Sequence, residues 1–320
     1  MTVVNVLVTG ASGFVGEALV SRLLVDKLFT PIAAVRDATR LHGLCRVMTF
    51  DLLDKNSLPR LKGVQVVVHA AARVHVMNET TQDVLAEFRK VNVAGTLRLA
   101  RRAAEDGVKR FIFISSIKVN GESTRPGKPF KADDRPAPVD PYGVSKYEAE
   151  EALKQLGRDT GMEIVIIRPP LVYGPGVKAN FLTMLNWLRK GIPLPLGAIH
   201  NQRSLVAIDN LIDLIIVCIN HPAARNQVFL VSDGEDLSTS RLLRQLATAL
   251  GRTARLVPLP ERLLQLVGSL LRKREIIQRV CGSLQVDIEK NREVLGWTPP
   301  VDWQVAMRQT ADHHMEKKAK

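Results

Sequence analysis

Two groups of residues have the types and spacing that chemistry needs. In Asp140-Pro141-Tyr142-Gly143-Val144-Ser145-Lys146 a phenol and an ammonium stand one helical turn apart, which puts them on one face of a helix. Asp140 is a good N-cap and Pro141 suits the first helical position, so a helix is predicted to start here. A tyrosine that moves protons near neutral pH must ionise below its ordinary pKa of about 10, and a cation one turn away stabilises the phenolate. A surface pair on an ordinary helix is the rival reading. The second group follows the apolar, β-branched run Val3 to Val8, as Thr9-Gly10-Ala11-Ser12-Gly13-Phe14-Val15-Gly16. Gly10 makes a turn, Gly13 lets the backbone approach a diphosphate, and Gly16 lets a helix pack close to the strand. Ala18, Leu19, Leu23 and Leu24 give that helix an apolar face, and its N–H groups and dipole then face the anion. An ordinary strand-loop-helix with three chance glycines is the bland alternative.

These residues need a sheet to hold them. Further strands are predicted at Pro31–Val35, Arg46–Phe50, Val64–Val68, Phe111–Ile114 and Glu163–Ile167, with helices notably over Asp83–Glu105 and Tyr142–Leu156. Alternation of this kind implies an α/β fold with a doubly wound parallel sheet. The chemistry-bearing residues then fall at the carboxyl ends of strands, where such sheets bind ligands. After Arg168 the texture changes to Gly- and Pro-rich loops and single helices. A strand-like alternation at 203–208, a short strand at Val228–Val231, and helices over Ser238–Leu250, Glu261–Lys273 and Asp287–Leu295 are expected. The expected division is a dinucleotide-binding domain over 1–170 plus about 203–233, and a smaller, discontinuous C-terminal substrate lobe over about 171–202 plus 234–320.

The totals narrow the class. A chain of 320 residues with 46% hydrophobic content can build a large core. No apolar run approaches the roughly 20 residues that span a bilayer; the greasiest stretch, Leu211–Ile219, is interrupted by Asp213. The start of the chain lacks the layout of a signal peptide. Cys45, Cys218 and Cys281 are scattered, which suggests neither disulfides nor a metal site. A reduced, cytoplasmic protein is expected. The net charge of +13 is spread along the chain without aromatic interleaving, which favours an enzyme drawing in phosphorylated anions over a nucleic-acid binder. The leucines around 263–271, followed by Arg272-Lys273-Arg274, read either as a membrane-touching helix or as a core-facing helix with a basic end; stable insertion is not expected.

The glycine turn, the Tyr142/Lys146 pair and Ser116 after the preceding strand resemble the short-chain dehydrogenase/reductase superfamily. More narrowly, the chain resembles its extended, nucleotide-sugar epimerase/reductase branch of the bacterial surface-polysaccharide type. His69-Ala70-Ala71, Val91-Asn92-Val93-Ala94-Gly95-Thr96, the run Arg168-Pro169-Pro170-Leu171-Val172-Tyr173-Gly174, Arg203-Ser204-Leu205-Val206, Asp209-Asn210-Leu211 and Leu295-Gly296-Trp297 carry the resemblance across most of the chain. The resemblance implies that Tyr142 handles the proton at a sugar oxygen, that Lys146 tunes it and holds the nicotinamide ribose, and that Ser116 hydrogen-bonds the same oxygen. It implies a cofactor site of Gly10, Ser12, Gly13, Phe14, Val15 and Gly16, with Asp51 and Leu52 flanking the adenine. Ala70, Ala71 and Ala72 would line its middle, Pro169 would touch the nicotinamide, and Asn92 would organise the site or cap its own helix. Asn180 and Arg203 are the implied contacts to the substrate, Arg203 at its diphosphate. Two positions depart from the epimerase pattern: Asn120 stands where many relatives carry an aromatic wall, and Leu171 where galactose epimerases carry an asparagine. His75 reads as a structural donor.

The resulting expectation is hydride transfer at C4 of a UDP-linked hexose, without a metal. Arg36, directly after Val35, can fork onto a 2′-phosphate, which favours NADP(H), with NAD possible. On that reading the chain is a reductase of a UDP-4-keto-6-deoxy-N-acetylhexosamine. The alternative is a UDP-glucose/UDP-N-acetylglucosamine 4-epimerase with tightly bound NAD. A non-enzymatic dinucleotide sensor is the rival from another class, and the retained Tyr142 and Lys146 speak against it. Helices 83–105 and 142–156 could pair two subunits as a homodimer.

Overall fold

The apolar run after Val3 becomes β1 (Val4–Thr9), the chain turns at Gly10, and α1 (Phe14–Val25) follows. The computed structural model describes residues 3–36, 41, 43–54, 56–74, 83–270 and 274–319. β2 (Phe29–Val35), β3 (Arg46–Thr49) and β4 (Val66–His69) come next. The segment expected as one regular helix over 83–105 is in three parts: α2 (Val84–Phe88), a π-helical stretch Arg89–Gly95, and α3 (Thr96–Glu105). The π stretch turns Asn92 inward, where it is 1% exposed; insertions of this kind occur mostly at functional sites. β5 (Arg110–Ile114) leads through a short 3₁₀ turn, Ile117–Val119, to α4 (Pro141–Thr160) and β6 (Glu163–Arg168). Asp140 caps α4 as expected, its Oδ1 accepting from the Gly143 N–H at 2.6 Å.

β7 (Leu171–Tyr173), α5 (Ala179–Arg189), β8 (Arg203–Ala207), α6 (Ile208–Asn220), β9 (Val228–Leu230) and β10 (Asp236–Leu237) follow. The chain ends with α7 (Thr239–Ala249), α8 (Glu261–Leu270), α9 (Arg274–Cys281), α10 (Glu289–Leu295) and α11 (Trp303–Ala319). Seven strands form one sheet in the order β3-β2-β1-β4-β5-β6-β9, every neighbouring pair parallel. This is the doubly wound Rossmann-type sheet the alternation predicts. Helices cover both faces, so its central strands are apolar on both sides; all of β5 is buried. A second sheet of three strands runs β10-β8-β7. Within 203–233, α6 and β9 pack with the first sheet whereas β8 pairs in the second.

Separate cores lie on the two faces of the large sheet, and a third lies under the small one. Phe14, at the start of α1, packs against both the first core and the third. The greasy stretch 211–219 is α6, and the Asp213 that interrupts it accepts from Trp297 Nε1 at 2.8 Å. No helix among the described residues is long and apolar enough to cross a membrane.

Candidate active site

The glycine turn is as tight as its spacing demands. Gly10 has φ +67°, and a Cβ there would lie 2.8 Å from the Ala71 nitrogen. At Gly16 it would lie 2.2 Å from the Gly10 carbonyl oxygen, so the helix meets the turn backbone to backbone. Gly13 is the N-cap of α1 and brings no side chain to the first-turn N–H groups, which leaves backbone donors and the dipole aimed outward. Exposed Ser12 and half-buried Phe14 and Val15 complete the turn. Half-buried Ala70, Ala71 and Ala72 run past it, with Ala71 N–H donating to Thr9 Oγ1 at 3.3 Å. The cradle fits a dinucleotide diphosphate. Its floor is held by His69, buried between Thr9 Oγ1 at 2.6 Å and Thr96 Oγ1 at 2.9 Å and stacked on Phe113. Burial, and then the charge of Lys146, push its imidazole down to about 3.

Around that cradle the other expected cofactor residues vary in what they offer. The end of β2 joins the turn through Ala11 N–H to the Ala34 carbonyl at 3.4 Å, and Arg36 stands exposed just beyond it. Its neighbour Asp37 lies outside the described residues, as does His75. Asp51 Oδ1 accepts from the Leu53 N–H at 2.8 Å, and Leu52 packs on Gly95 while its carbonyl takes Arg98. Asn92 is buried and tied to its neighbours. Its Oδ1 accepts from the Arg73 N–H at 2.8 Å, and its Nδ2 donates to the Arg73 carbonyl at 3.1 Å and to Ser145 Oγ at 3.0 Å. Both amide protons are thereby used, so Asn92 ties the strand end to α4 as an organiser.

α4 presents Tyr142 and Lys146 toward the end of β5. Lys146 is buried, donates to the Ile114 carbonyl at 2.7 Å, and lies 4.0 Å from the centre of the Phe113 ring. Burial pushes its ammonium down to about 7, opposed by Glu150. Tyr142 is half-buried with its ring edge-on to Phe88. Burial, and then the Asp140 carboxylate, push the phenol up to about 12. Ser116 caps the 3₁₀ turn, its Oγ accepting from the Lys118 N–H at 3.3 Å, which leaves its own proton to donate. Lys118 pairs with Asp140, and a Cβ on Gly143 would come 2.9 Å from the Lys118 carbonyl. The turn carrying Ser116 therefore sits directly on the first turn of the Tyr142 helix.

A buried polar group missed at the sequence level braces this junction. Glu150 accepts from Ser115 Oγ at 2.5 Å and pairs with Arg168 at 2.6 Å, both charges nearly inaccessible. Arg168 also donates to Asn120 Oδ1 at 2.9 Å, and Asn120 Nδ2 donates to the Lys131 carbonyl. Asn120 is thus an interior brace. Glu150 stands one helical turn beyond Lys146, and that spacing was the available signal. Buried Pro169 follows β6, its carbonyl accepting from the Ile117 N–H at 3.0 Å.

The substrate candidates lie with the second sheet and its core. Arg203, half-buried at the start of β8, donates to the Gly282 carbonyl at 3.1 Å, and burial lowers its pKa. Asn180 is in α5, with its side chain outside the described residues.

A parallel Rossmann-type sheet, with a glycine cradle at the first strand end and Ser116, Tyr142 and Lys146 at the fifth, is the layout of the extended short-chain dehydrogenase/reductase class. The model of the NAD dependent epimerase/dehydratase family matches residues 6–232, and the chain belongs to that family. A UDP-glucose 4-epimerase of Vibrio cholerae is 50% identical over 318 residues, 98% of this chain and 96% of that one. A GDP-6-deoxy-D-mannose reductase of Pseudomonas aeruginosa is 27% identical over 317 residues, 95% of each chain. Among solved structures, a UDP-glucose 4-epimerase of Thermotoga maritima with UDP-glucose superposes with TM-score 0.79 at 23% identity, over 99% of this chain and 100% of that one.

Proposed function

We propose that the chain is a UDP-hexose 4-epimerase that keeps NAD bound through its cycle. The observation that carries this reading over the reductase is the 50% identity, across 98% of the chain, to the Vibrio cholerae UDP-glucose 4-epimerase. Bound NAD supplies the hydride acceptor and donor at C4 of the sugar. The Gly10–Gly16 turn and Ala70 to Ala72 hold its diphosphate, Asp51 and Leu52 flank the adenine, and Pro169 lies by the nicotinamide. Tyr142 takes the proton of the C4 hydroxyl and returns it, Ser116 donates to that oxygen, and Lys146 supplies the cation that offsets phenolate charge. Arg203, with Asn180, grips the UDP diphosphate from the lobe of the second sheet. Two copies pair through the outer faces of α3 and α4.

A second reading, an NADPH-dependent 4-reductase of a UDP-4-keto-6-deoxy-N-acetylhexosamine, is favoured by Arg36 beside the cradle. One experiment separates the two. The purified protein is denatured, the released nucleotide is identified, and UDP-glucose and UDP-N-acetylglucosamine are assayed for C4 inversion without added cofactor. Released NAD with inversion supports the epimerase. An empty site with NADPH-dependent reduction of the 4-keto sugar replaces it with the reductase.

A further inference from the structure

Two lysines stand by the Tyr142 end of α4, and the proton transfer assigned above uses one of them. Lys146 is held from within, on the Ile114 carbonyl and the Phe113 ring. The other is Lys118, in the 3₁₀ turn that follows Ser116. Its backbone N–H donates to Ser116 Oγ at 3.3 Å, and its ammonium pairs with the Asp140 carboxylate. Asp140 stands just before Tyr142 and caps its helix, Oδ1 accepting from the Gly143 N–H at 2.6 Å. The pair closes tightly over Gly143, where a Cβ would lie 2.9 Å from the Lys118 carbonyl oxygen and 3.0 Å from Asp140 Oδ1. The Lys118 and Asp140 side chains are only 32% and 22% exposed, so water screens their charges incompletely.

The Tyr142 phenol feels those charges. After burial, Asp140 is what opposes its ionisation. Other charges at this end of α4 are matched among themselves. Arg89 of the π stretch pairs with Glu148 at 2.5 Å, and Lys90 pairs with Glu87 at 2.5 Å, with Arg73 and Asp83 near the second pair. Asp140 is matched by Lys118, whose ammonium also stands 3.5 Å from the more exposed Glu122.

We propose that Lys118 is a positioning residue for the proton transfer: it neutralises the Asp140 carboxylate beside Tyr142 and, through the same contact, holds the Ser116 turn on the first turn of α4. An aspartate is a strong helix cap, but a carboxylate next to a phenol that must become an anion opposes the reaction. Lys118 lets the helix keep its cap without that opposition. A strap alone would need only the contact, whereas this role needs the charge. It rests on Tyr142 being the group that exchanges the proton.

The test is a charge cycle in the purified holoenzyme: Lys118→Met, Lys118→Arg, Asp140→Asn and the double variant K118M/D140N. Inversion of UDP-glucose at C4 is followed from about pH 5.5 to 9.5. Lys118→Met is expected to move the acidic limb of kcat to higher pH, so that kcat at pH 7 falls ~3- to 10-fold while the alkaline plateau is kept. Lys118→Arg should retain the wild-type profile. Asp140→Asn keeps a capping side chain and should move the limb to lower pH. The double variant should return kcat at pH 7 to within ~2-fold of wild type. Carbon-13 NMR of ring-labelled tyrosine reads the same effect without turnover. Of the 3 tyrosines, the signal lost in Tyr142→Phe should titrate about 0.5–1 pH unit higher in Lys118→Met. A loss of kcat equal at every pH, or an unmoved Tyr142 signal, overturns the proposal and leaves Lys118 as a strap. A double variant no better than Lys118→Met overturns it too. If Tyr142→Phe turns over like wild type, the assignment of Tyr142 is what fails, and the role of Lys118 falls with it.

Discussion

Lys146 donates through Nζ to the carbonyl oxygen of Ile114 at 2.7 Å. One turn further along the same helix, Glu150 accepts from the hydroxyl of Ser115 at 2.5 Å. Successive residues at the end of β5 are therefore pinned to α4, and Ser116 is the next residue along. Ser116 is therefore carried by a segment tied to α4 at two successive turns, once through a backbone carbonyl and once through a side chain. Breaking a buried pair such as Glu150–Arg168 costs roughly 3–5 kcal/mol, so the clamp is as much a part of the fold as of the site.

Tyr142→Phe removes the ionisable atom from this face and leaves the ring against Phe88 in place. A fall in kcat of at least ~100-fold is expected, with NAD affinity retained because the diphosphate rests on the glycine turn. Steady-state kinetics and a cofactor titration check both halves. Near wild-type turnover would remove Tyr142 from the reaction.

The first sheet was legible in the sequence because each of its strands is an apolar run closed by a turn, and none ends more than two residues from its expected place. The π stretch was not legible. Its sequence, Arg89–Gly95, sits inside a longer helical pattern with nothing to mark where a residue is inserted, and the contacts that bury Asn92 there, to Arg73 and Ser145, are tertiary. β7, β10, α9 and α11 were missed too. β7 and β10 are three and two residues long and α9 eight, too short for a period to stand out, and α11 is polar along most of its length. Tyr142 and Lys146 could be found by spacing, whereas the burial that raises the pKa of the Tyr142 phenol is a tertiary effect that spacing does not encode.

His69 makes stability depend on acid pH. Its folded pKa, about 3, lies below the ordinary histidine value of about 6.5, so the unfolded chain binds the proton first. The contribution is fully present above about pH 6.5 and is lost as pH falls toward 3. Urea unfolding is expected to show about 2–3 kcal/mol of loss from this group between pH 7.5 and pH 4.5. His69→Gln should lose correspondingly less over the same interval. Equal losses in the two proteins would mean that His69 is not buried neutral.

Gly13 and Gly16 should respond in opposite ways to a methyl group. At Gly16 a Cβ falls 2.2 Å from the Gly10 carbonyl oxygen, so Gly16→Ala is expected to destabilise by at least ~2 kcal/mol. Gly13 has φ −89°, which any residue adopts, and its Cβ would lie 3.1 Å from the Gly10 carbonyl oxygen. Gly13→Ala should keep its melting temperature within a few degrees, yet weaken NAD binding ~10-fold or more by standing where the diphosphate approaches. Thermal melts beside NAD titrations read both effects.

Arg203→Ala is expected to weaken UDP-sugar binding by about 1.5–3 kcal/mol through loss of a charge-assisted contact. NAD affinity should not change, since the cradle lies on the other sheet. Calorimetric titration with each ligand makes the comparison. Parallel losses for both would mean that the Gly282 junction, and not the diphosphate, depends on Arg203.

Arg36 is the residue that bears on cofactor choice. It stands exposed at the end of β2, and the Ala11–Ala34 hydrogen bond fixes that strand end beside the glycine turn. A carboxylate at such a place accepts from the ribose hydroxyls and repels a 2′-phosphate, whereas a guanidinium can fork onto the phosphate. The nucleotide held through an epimerase cycle is NAD, which has no such phosphate for Arg36 to grip. Arg36→Ala should therefore leave NAD affinity within about 3-fold of wild type while lowering NADP affinity at least ~10-fold. Fluorescence titration with the two nucleotides measures the split. Higher wild-type affinity for NADPH than for NAD, erased by Arg36→Ala, would move the assignment from epimerase to reductase.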